Sequence, residues 1–395
     1  MPQKFAFTAV ICEFDPLHHG HRLLLERAGE AGEPVCCVLS GNFVQRGAPA
    51  LLDKWTRARL ALENGADLVF ELPLSWACAG AERFAAGGVA LAAALGPGRL
   101  LFGSEMPDVE LLTETAQALL SPAFAAALNE CGPRLSFAAR RQQAIARLLG
   151  EPAAQALRFP NANLGVEYCK AILRQNARLV PAAILREGAD HDSQGGSETV
   201  PACASQLRDQ IVRGEDIAGL APESTVQAVE DARAAGRCPT RIAYLERAVL
   251  CRLRTMSRQD LASLPDVSEG LENRLYHAVR QARSLEELYA LVKSKRYSHA
   301  RIRRLVLGAF LGLTAPLPEL PSYLRLLGCT SRGREALEAL SPTLPVAARP
   351  RDLRRLPPEA QAVFQAEAAA DDLYTLCCPT PQPAGRDYTE RVIFV

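Results

Sequence analysis

His18 and His21 bracket a glycine within the run VICEFDPLHHGHRLLL, Val10 to Leu25. An imidazole can donate a hydrogen bond to an anionic oxygen while remaining neutral. Gly20 lets the backbone approach a ligand with no Cβ in the way. Ahead of the histidines, the apolar run Phe5 to Cys12 reads as a buried strand. Behind them, Leu23, Leu24 and Leu25 lie near the start of a helix. A strand, a loop cut by Asp15-Pro16 and a helix N-terminus together make an anion cradle, because first-turn amides lack partners and the helix dipole is positive there. A nucleoside triphosphate suits it, with the two imidazoles stabilising charge on a departing pyrophosphate. A zinc site from His18, His19 and His21 is disfavoured, because three histidines in so tight a turn rarely converge on one ion.

The elements that must position this loop follow in order. Pro34–Ser40, Asp67–Leu72, Arg99–Phe102 and Leu179–Leu185 read as further strands. Helices are predicted over His21–Gly32, Asp53–Asn64 (with Asp53 as N-cap), Ala81–Leu95, two or three segments of Pro107–Gly150, Gly165–Gln175 and Ala204–Arg213. The strands are continuously apolar, which implies a parallel sheet covered on both faces. The fold class is thus α/β, a Rossmann-like parallel-sheet domain over residues 1–214. Beyond it the strand signal fades, and residues 215–395 read as mainly helical, with Ser341–Pro358 irregular and a short strand in the terminal RVIFV. Ligands of such sheets sit at the carboxyl ends of the strands, and the polar residues cluster there: Asp15 to His21, Ser40 to Gly47, Glu71 to Pro73 and Gly103 to Glu105.

Other constellations are less specific. SGNFVQRGAPALLDK has the length and glycines of a binding loop, making Arg46 and Lys54 candidates for substrate or RNA contact, although Asp53-Lys54 also fits a plain helix start. Gly103 leaves room for an adenine or ribose. Asn161 follows a proline in a predicted loop, and Arg186 ends the fifth strand. In KSKRYSHARIRR, Lys293, Lys295, Arg296, Arg301, Arg303 and Arg304 stand without one acidic residue, with Tyr297 interleaved. That pattern suits a nucleic-acid backbone and a stacked base; the plainer alternative is a solvated helix face.

The totals bound the answer. Hydrophobic content of 48% and charged content of 23% are those of a globular chain. No apolar run reaches the length of a membrane span, and the N-terminus lacks a signal-peptide pattern, so a cytoplasmic location is expected. Twelve cysteines without a C-x-x-C predict buried free thiols, not a metal site.

Taken in order, VICEFDPLHHGH, SGNFVQRGAPALLDKWTRARLALENGADLVFELP, FAAGGVALAAALG, LLFGSE, PNANLGVEY, SEGLENRL, KSKRYSHARIRRL and SYLRLLG resemble one family, the tRNA(Met) cytidine acetate ligases of the nucleotidyltransferase-like superfamily. The resemblance implies that ATP and acetate form acetyl-adenylate and pyrophosphate. The acetyl group then passes to N4 of the wobble cytidine of elongator tRNA(Met), with no acetyl-coenzyme A required and Mg2+ accompanying the triphosphate. It also implies that the loop Ile11, Cys12, Glu13, Phe14, Asp15, Pro16, Leu17, His18, His19, Gly20, His21, Arg22, Leu23 and Leu24 holds ATP, with Gly103, Asn161 and Arg186 completing the pocket. The chain departs from the family pattern at Phe14-Asp15, where Tyr-Asn is expected, and at His19, where Asn is common. Asp15 adds negative charge beside an anionic substrate unless a cation offsets it. Ser205 and Arg208 keep the superfamily's Ser/Thr-x-x-Arg pattern only loosely. The alternative is a small-molecule adenylyltransferase or cytidylyltransferase, which would need neither the basic segment nor a large helical unit.

Overall fold

The computed structural model describes residues 5–132, 135–186, 203–268, 270–294 and 297–395. The first half alternates strands and helices: β1 (Thr8–Cys12), α1 (His19–Gly29), β2 (Val35–Ser40), a small hairpin β3 (Phe43–Val44) and β4 (Ala48–Pro49), α2 (Lys54–Glu63), β5 (Leu68–Leu72), α3 (Leu74–Ala77), α4 (Ala81–Ala93) and β6 (Gly98–Ser104). Five helices then precede the next strand: α5 (Val109–Leu120), α6 (Pro122–Asn129), α7 (Phe137–Leu149), α8 (Glu151–Ala156) and α9 (Pro160–Gln175), before β7 (Leu179–Leu185) and α10 (Ala204–Arg213). A helical stretch follows: α11 (Glu223–Ala234), α12 (Glu246–Thr255), α13 (Arg258–Ala262), α14 (Leu271–Gln281), α15 (Leu285–Val292) and α16 (His299–Phe310). The chain ends with β8 (Leu324–Cys329), α17 (Ser331–Ala339), β9 (Val346–Ala347), α18 (Pro350–Leu353), α19 (Pro358–Tyr374), α20 (Arg386–Thr389) and β10 (Ile393–Phe394).

Among the described residues these strands form an eight-stranded sheet of order β10-β8-β5-β2-β1-β6-β7, with β9 beside β8. β1 pairs in parallel with β2 and β6, β2 with β5, and β6 with β7. β8 runs antiparallel to β5. The sheet therefore draws its far edge from residues 324–394, in the part of the chain expected to be mainly helical. LRLLGC is a short apolar run that periodicity alone assigns equally to a buried helix.

Each sheet face carries its own core. Phe7, Phe70, Phe84, Phe102 and Tyr168 centre one, under α4, α5 and α9. Leu17, Leu25, Leu39, Leu60 and Leu207 centre the other, under α1, α2 and α10. A third core, with Val249, Leu275, Leu288, Tyr297 and Ile302, fills α12–α16 and takes in Phe43 of the hairpin. At β1 the strand order reverses, because β2 and β5 extend to one side and β6 and β7 to the other. Such a switch point opens a crevice at the carboxyl ends of the strands. No single helix among the described residues is long and apolar enough to cross a membrane.

Candidate active site

The two histidines cap α1 reciprocally. His18 is the N-cap, and its Nδ1 accepts from the His21 amide at 3.3 Å; His21 Nδ1 accepts from the His18 amide, also at 3.3 Å. The rings stack with centroids 3.6 Å apart. A nitrogen that accepts a backbone N–H carries no proton, so each neutral ring bears its proton on Nε2. His18 Nε2 is buried and has no protein partner among the described residues. Burial pushes the His18 pKa down to about 3, helped by the charges of Arg186, His19 and Arg208. Burial, with His18 and Arg186, also holds His21 well below the ordinary histidine range. His18 therefore presents a neutral N–H donor poised for an anion, while the His21 ring is also engaged by the Pro16 backbone, and both are unsuited to taking a proton. A Cβ on Gly20 would stand 3.0 Å from His18 Cε1, so a larger residue there would displace the ring.

These histidines line a cavity of about 750 Å3 at the switch point, within the span of about 300–1,000 Å3 usual for small-molecule sites. Ile11 and Cys12 line it from the end of β1, Glu13, Phe14, Asp15, Gly20, Leu23 and Leu24 from the loop and α1, and Gly103, Asn161 and Arg186 from β6, α9 and the end of β7. Phe14 sits at φ +46°, a region that L residues avoid; its buried ring packs edge-on to His21 at 5.1 Å, which fixes the turn.

The structure shows how Asp15 is accommodated. Its Oδ1 accepts from the Leu51 amide at 2.7 Å, its Oδ2 pairs with Arg46, and its carbonyl accepts from Arg208 at 2.7 Å. Burial pushes this carboxyl up, but Arg46, Arg208 and Arg57 outweigh it and hold it below its ordinary value. Arg57, fully buried, donates to the Glu13 carbonyl at 2.7 Å and the Ser40 carbonyl at 3.0 Å, tying the loops after β1 and β2 together.

Across the cavity, Arg186 donates to Asn161 Oδ1 at 2.7 Å. Asn161 lies in the first turn of α9, not in a loop, because Pro160 starts the helix where its missing N–H costs nothing. Glu105 caps that turn, accepting from Asn161 Nδ2 at 2.6 Å and from the Ala162 amide at 2.8 Å. Cavity residues that sequence reasoning did not single out include Gln45, Phe84, Phe102 and Tyr168. Their only signal was proximity to strand ends or to an apolar helix face. Ser205 and Arg208 reach the cavity too.

Other expected residues lie elsewhere. Pro16 and Leu17 are buried behind the loop, Leu17 in the core of one sheet face. His19 is half-buried at the helix start, and Arg22 is exposed and paired with Glu26 at 2.9 Å; neither lines the cavity. Lys54 requires correction. It is fully buried, its Nζ 2.5 Å from Glu71, 2.5 Å from Asp371 and 3.0 Å from Asp387, so no RNA or substrate reaches it. Tyr297 is also corrected: it is buried in the core of the helical unit and offers no face for a base. Arg301 donates to the Asp266 carbonyl at 2.6 Å and to Ser268 at 3.0 Å; Arg303 and Lys293 are exposed. Arg304 turns inward, lines the cavity and donates to the Gln45 carbonyl at 3.1 Å. Lys295, Arg296 and the stretch Glu187–Glu198 lie outside the described residues. Among the described residues, no group of three or more His, Cys, Asp or Glu is placed to hold a metal ion.

Comparison with known proteins agrees with this geometry. The family described as HIGH Nucleotidyl Transferase matches residues 5–388. A tRNA(Met) cytidine acetate ligase of Acetivibrio thermocellus is 32% identical, over 98% of this chain and 99% of its own. One from Caldanaerobacter subterraneus subsp. tengcongensis is 34% identical, over 93% and 94%. The crystal structure of apo Thermotoga maritima TmcAL superposes with a TM-score of 0.92 at 28% identity, covering 98% of this chain and 99% of that one. The same protein bound with alpha-thio ATP gives 0.89 at 28% identity. With a cavity at the strand switch point, a paired-histidine cap and relatives aligned nearly end to end, the chain belongs to the tRNA(Met) cytidine acetate ligase family of the HIGH nucleotidyl transferases.

Proposed function

We propose that this protein activates acetate with ATP and transfers the acetyl group to N4 of the wobble cytidine of elongator tRNA(Met). The observation that carries the first step is the paired cap: two neutral imidazoles at a helix N-terminus that line the cavity, one with a buried Nε2 that has no partner among the described residues. Acetate is a poor acyl donor because oxide is a poor leaving group. Adenylation makes AMP the leaving group, so the protein must align the carboxylate with the α-phosphorus and stabilise the departing pyrophosphate. His18 and His21 supply donors for the pyrophosphate without a proton-transfer step. Gly103, Asn161 and Arg186 stand where they can receive the nucleoside and its phosphates. Arg46 and Arg208 keep Asp15 from repelling them. Mg2+ brought in with the triphosphate would screen the phosphate charge; among the described residues no group of three or more His, Cys, Asp or Glu is placed to hold it.

The second substrate is read from charge. Residues 241–310 hold fourteen Lys and Arg against seven Asp and Glu, while the whole chain sums to only +1. This excess on one helical unit suits an RNA backbone, and α16 brings it to the cavity through Ala300 and Arg304. We assign catalysis to residues 1–214 and RNA binding to 215–395, with β8 and β10 of the latter closing the catalytic sheet. A tRNA substrate and twelve free thiols fit the cytoplasm. The test incubates the protein with labelled acetate, ATP and methionine tRNA. Label on the cytidine is expected; acetate-dependent pyrophosphate release without label on RNA would favour a small-molecule nucleotidyltransferase.

A further inference from the structure

Two carboxylates stand two residues apart on the loop after β1, in a cavity meant for anions, and their surroundings differ. Asp15 has both oxygens engaged, Oδ1 by the Leu51 amide and Oδ2 by Arg46. Glu13 has one oxygen engaged: Oε1 accepts from the Gln45 amide at 2.7 Å, and no hydrogen bond reaches Oε2 among the described residues. Glu13 follows the last residue of β1, the strand at which the sheet order reverses, and lines the cavity between the histidine cap and the Gly103 side. On the acetate-ligase reading, the acyl group is made and used in this same cavity. A carboxylate there is unhelpful to ATP and to acetate. It is helpful to an amine that must lose a proton.

We propose that Glu13 takes the proton released when the cytidine N4 amine attacks acetyl-adenylate. This rests on the acetyl-transfer reading above. The nitrogen lone pair forms the new C–N bond at the acetyl carbon. The bond from that carbon to the phosphate oxygen breaks, AMP leaves with the electron pair, and the amine proton passes to Glu13 Oε2. No further reactant is needed.

The other groups of the cavity are poorly suited. His18 and His21 each use Nδ1 as an acceptor and carry their proton on Nε2. Cys12 donates its S–H to the Val38 carbonyl at 3.7 Å, and burial pushes its thiol up. Cys203 is the rival, because its thiol is held low by Ser205 and the Gln206 amide despite burial. The groups that face Glu13 are Asp15, Arg46, Arg57, Arg208, Cys12, Cys78 and Tyr168. Burial raises Glu13 against the pull of Gln45 and Arg46, while Asp15 is lowered. Neighbouring acids driven apart in this way divide into a base and a fixed charge.

The experiment measures two half-reactions on the full chain: acetate-dependent ATP–pyrophosphate exchange, and single-turnover transfer from acetyl-adenylate to methionine tRNA. E13Q should lower transfer relative to exchange by about a hundredfold, and the acid limb of the transfer pH profile should vanish. E13D should keep that limb. Equal losses in both half-reactions, or an intact limb in E13Q, overturn the proposal, as does loss of the limb in C203S instead. If E13Q fails to fold, the parent decides: an acid limb in transfer that exchange lacks supports the proposal, and its absence overturns it. A parent without acetate-dependent exchange refutes the acetate-ligase reading itself, and this is measured first.

Discussion

Replacing Lys54 with Met tests whether the structure is right to remove this residue from the substrate-contacting set. Lys54 has 0% side-chain exposure and lies within 3.0 Å of Glu71, Asp371 and Asp387. Arg325 is the second cation of the cluster, 2.7 Å from Asp387 and 3.5 Å from Glu71. Glu367, also buried, caps α3 through the Leu74 amide at 2.5 Å. Four carboxylates thus face two cations. Burial first and Glu71 second push Glu367 well up, and burial with Asp387 does the same to Asp371. Asp387 is pulled down by Lys54 and Arg325 against burial. Removing one partner of a buried pair costs about 3–5 kcal/mol. At about 2.1 cal/mol/K per residue, a chain of 395 residues unfolds with an entropy of about 0.8 kcal/mol/K, so Tm should fall by about 4–6 °C. The sign with pH follows from linkage. Without the ammonium the folded carboxylates bind protons more tightly than the unfolded ones, so the deficit should shrink as pH falls from 8 towards 5. Differential scanning calorimetry across that range reads both effects. A Tm within 1 °C of the parent, together with weakened tRNA binding, would refute the buried-cluster assignment.

Three further outcomes follow from the site. His18→Asn should lower acetate-dependent pyrophosphate exchange by about 10²–10³-fold. Because the folded His18 pKa lies near 3 and an unfolded histidine titrates near 6.5, the parent should lose stability as pH drops from about 6.5 towards 3, with a shallower slope in the variant; equal slopes in urea titrations count against the neutral cap. Arg46→Ala should weaken ATP binding about tenfold by uncovering the Asp15 charge, and adding Asp15→Asn should restore most of it; additive losses in calorimetric titration would show the pair is uncoupled. Lys293→Ala and Arg303→Ala should each lower the slope of log K for tRNA against log salt by about one, whereas unchanged slopes would move the RNA to another face.

The legible part of this protein is local. β1, β2, β5, β6 and β7 are mostly apolar runs, and Asp53 caps α2 through the Thr56 amide at 2.9 Å as its position suggests. The His-x-Gly-His loop is legible because its chemistry lies within four residues. What escapes is set by partners distant along the chain. Lys54 looks like a free cation until Asp371 and Asp387 arrive from the far end of the sequence. Arg46 looks available until it meets Asp15, and that meeting is what allows this chain an acid in the loop. Tyr297 sits among basic residues, yet the apolar stripe of α16, with Ile302, Leu305 and Val306, carries the neighbouring turn into the core. β8 escapes because its antiparallel pairing with β5 joins strands some 250 residues apart, a constraint that no window along the chain contains.

One residue joins the two halves of the chemistry. The Gln45 amide holds Glu13, and the Gln45 carbonyl receives Arg304 of α16. Gly47, at φ +77° two residues on, lets the hairpin lie against α16 so closely that a Cβ there would stand 2.6 Å from the Arg304 amide nitrogen. The short hairpin, too slight to be read from sequence, is therefore the physical bridge between the basic helix and the loop of the histidine cap. The loop of the histidine cap and α16 thus meet through one residue, whose backbone both holds the Glu13 carboxylate and anchors Arg304. On the proposed reading, in which RNA seats on α16, this shared residue would hold it in register with the acyl group, the alignment that proximity catalysis requires.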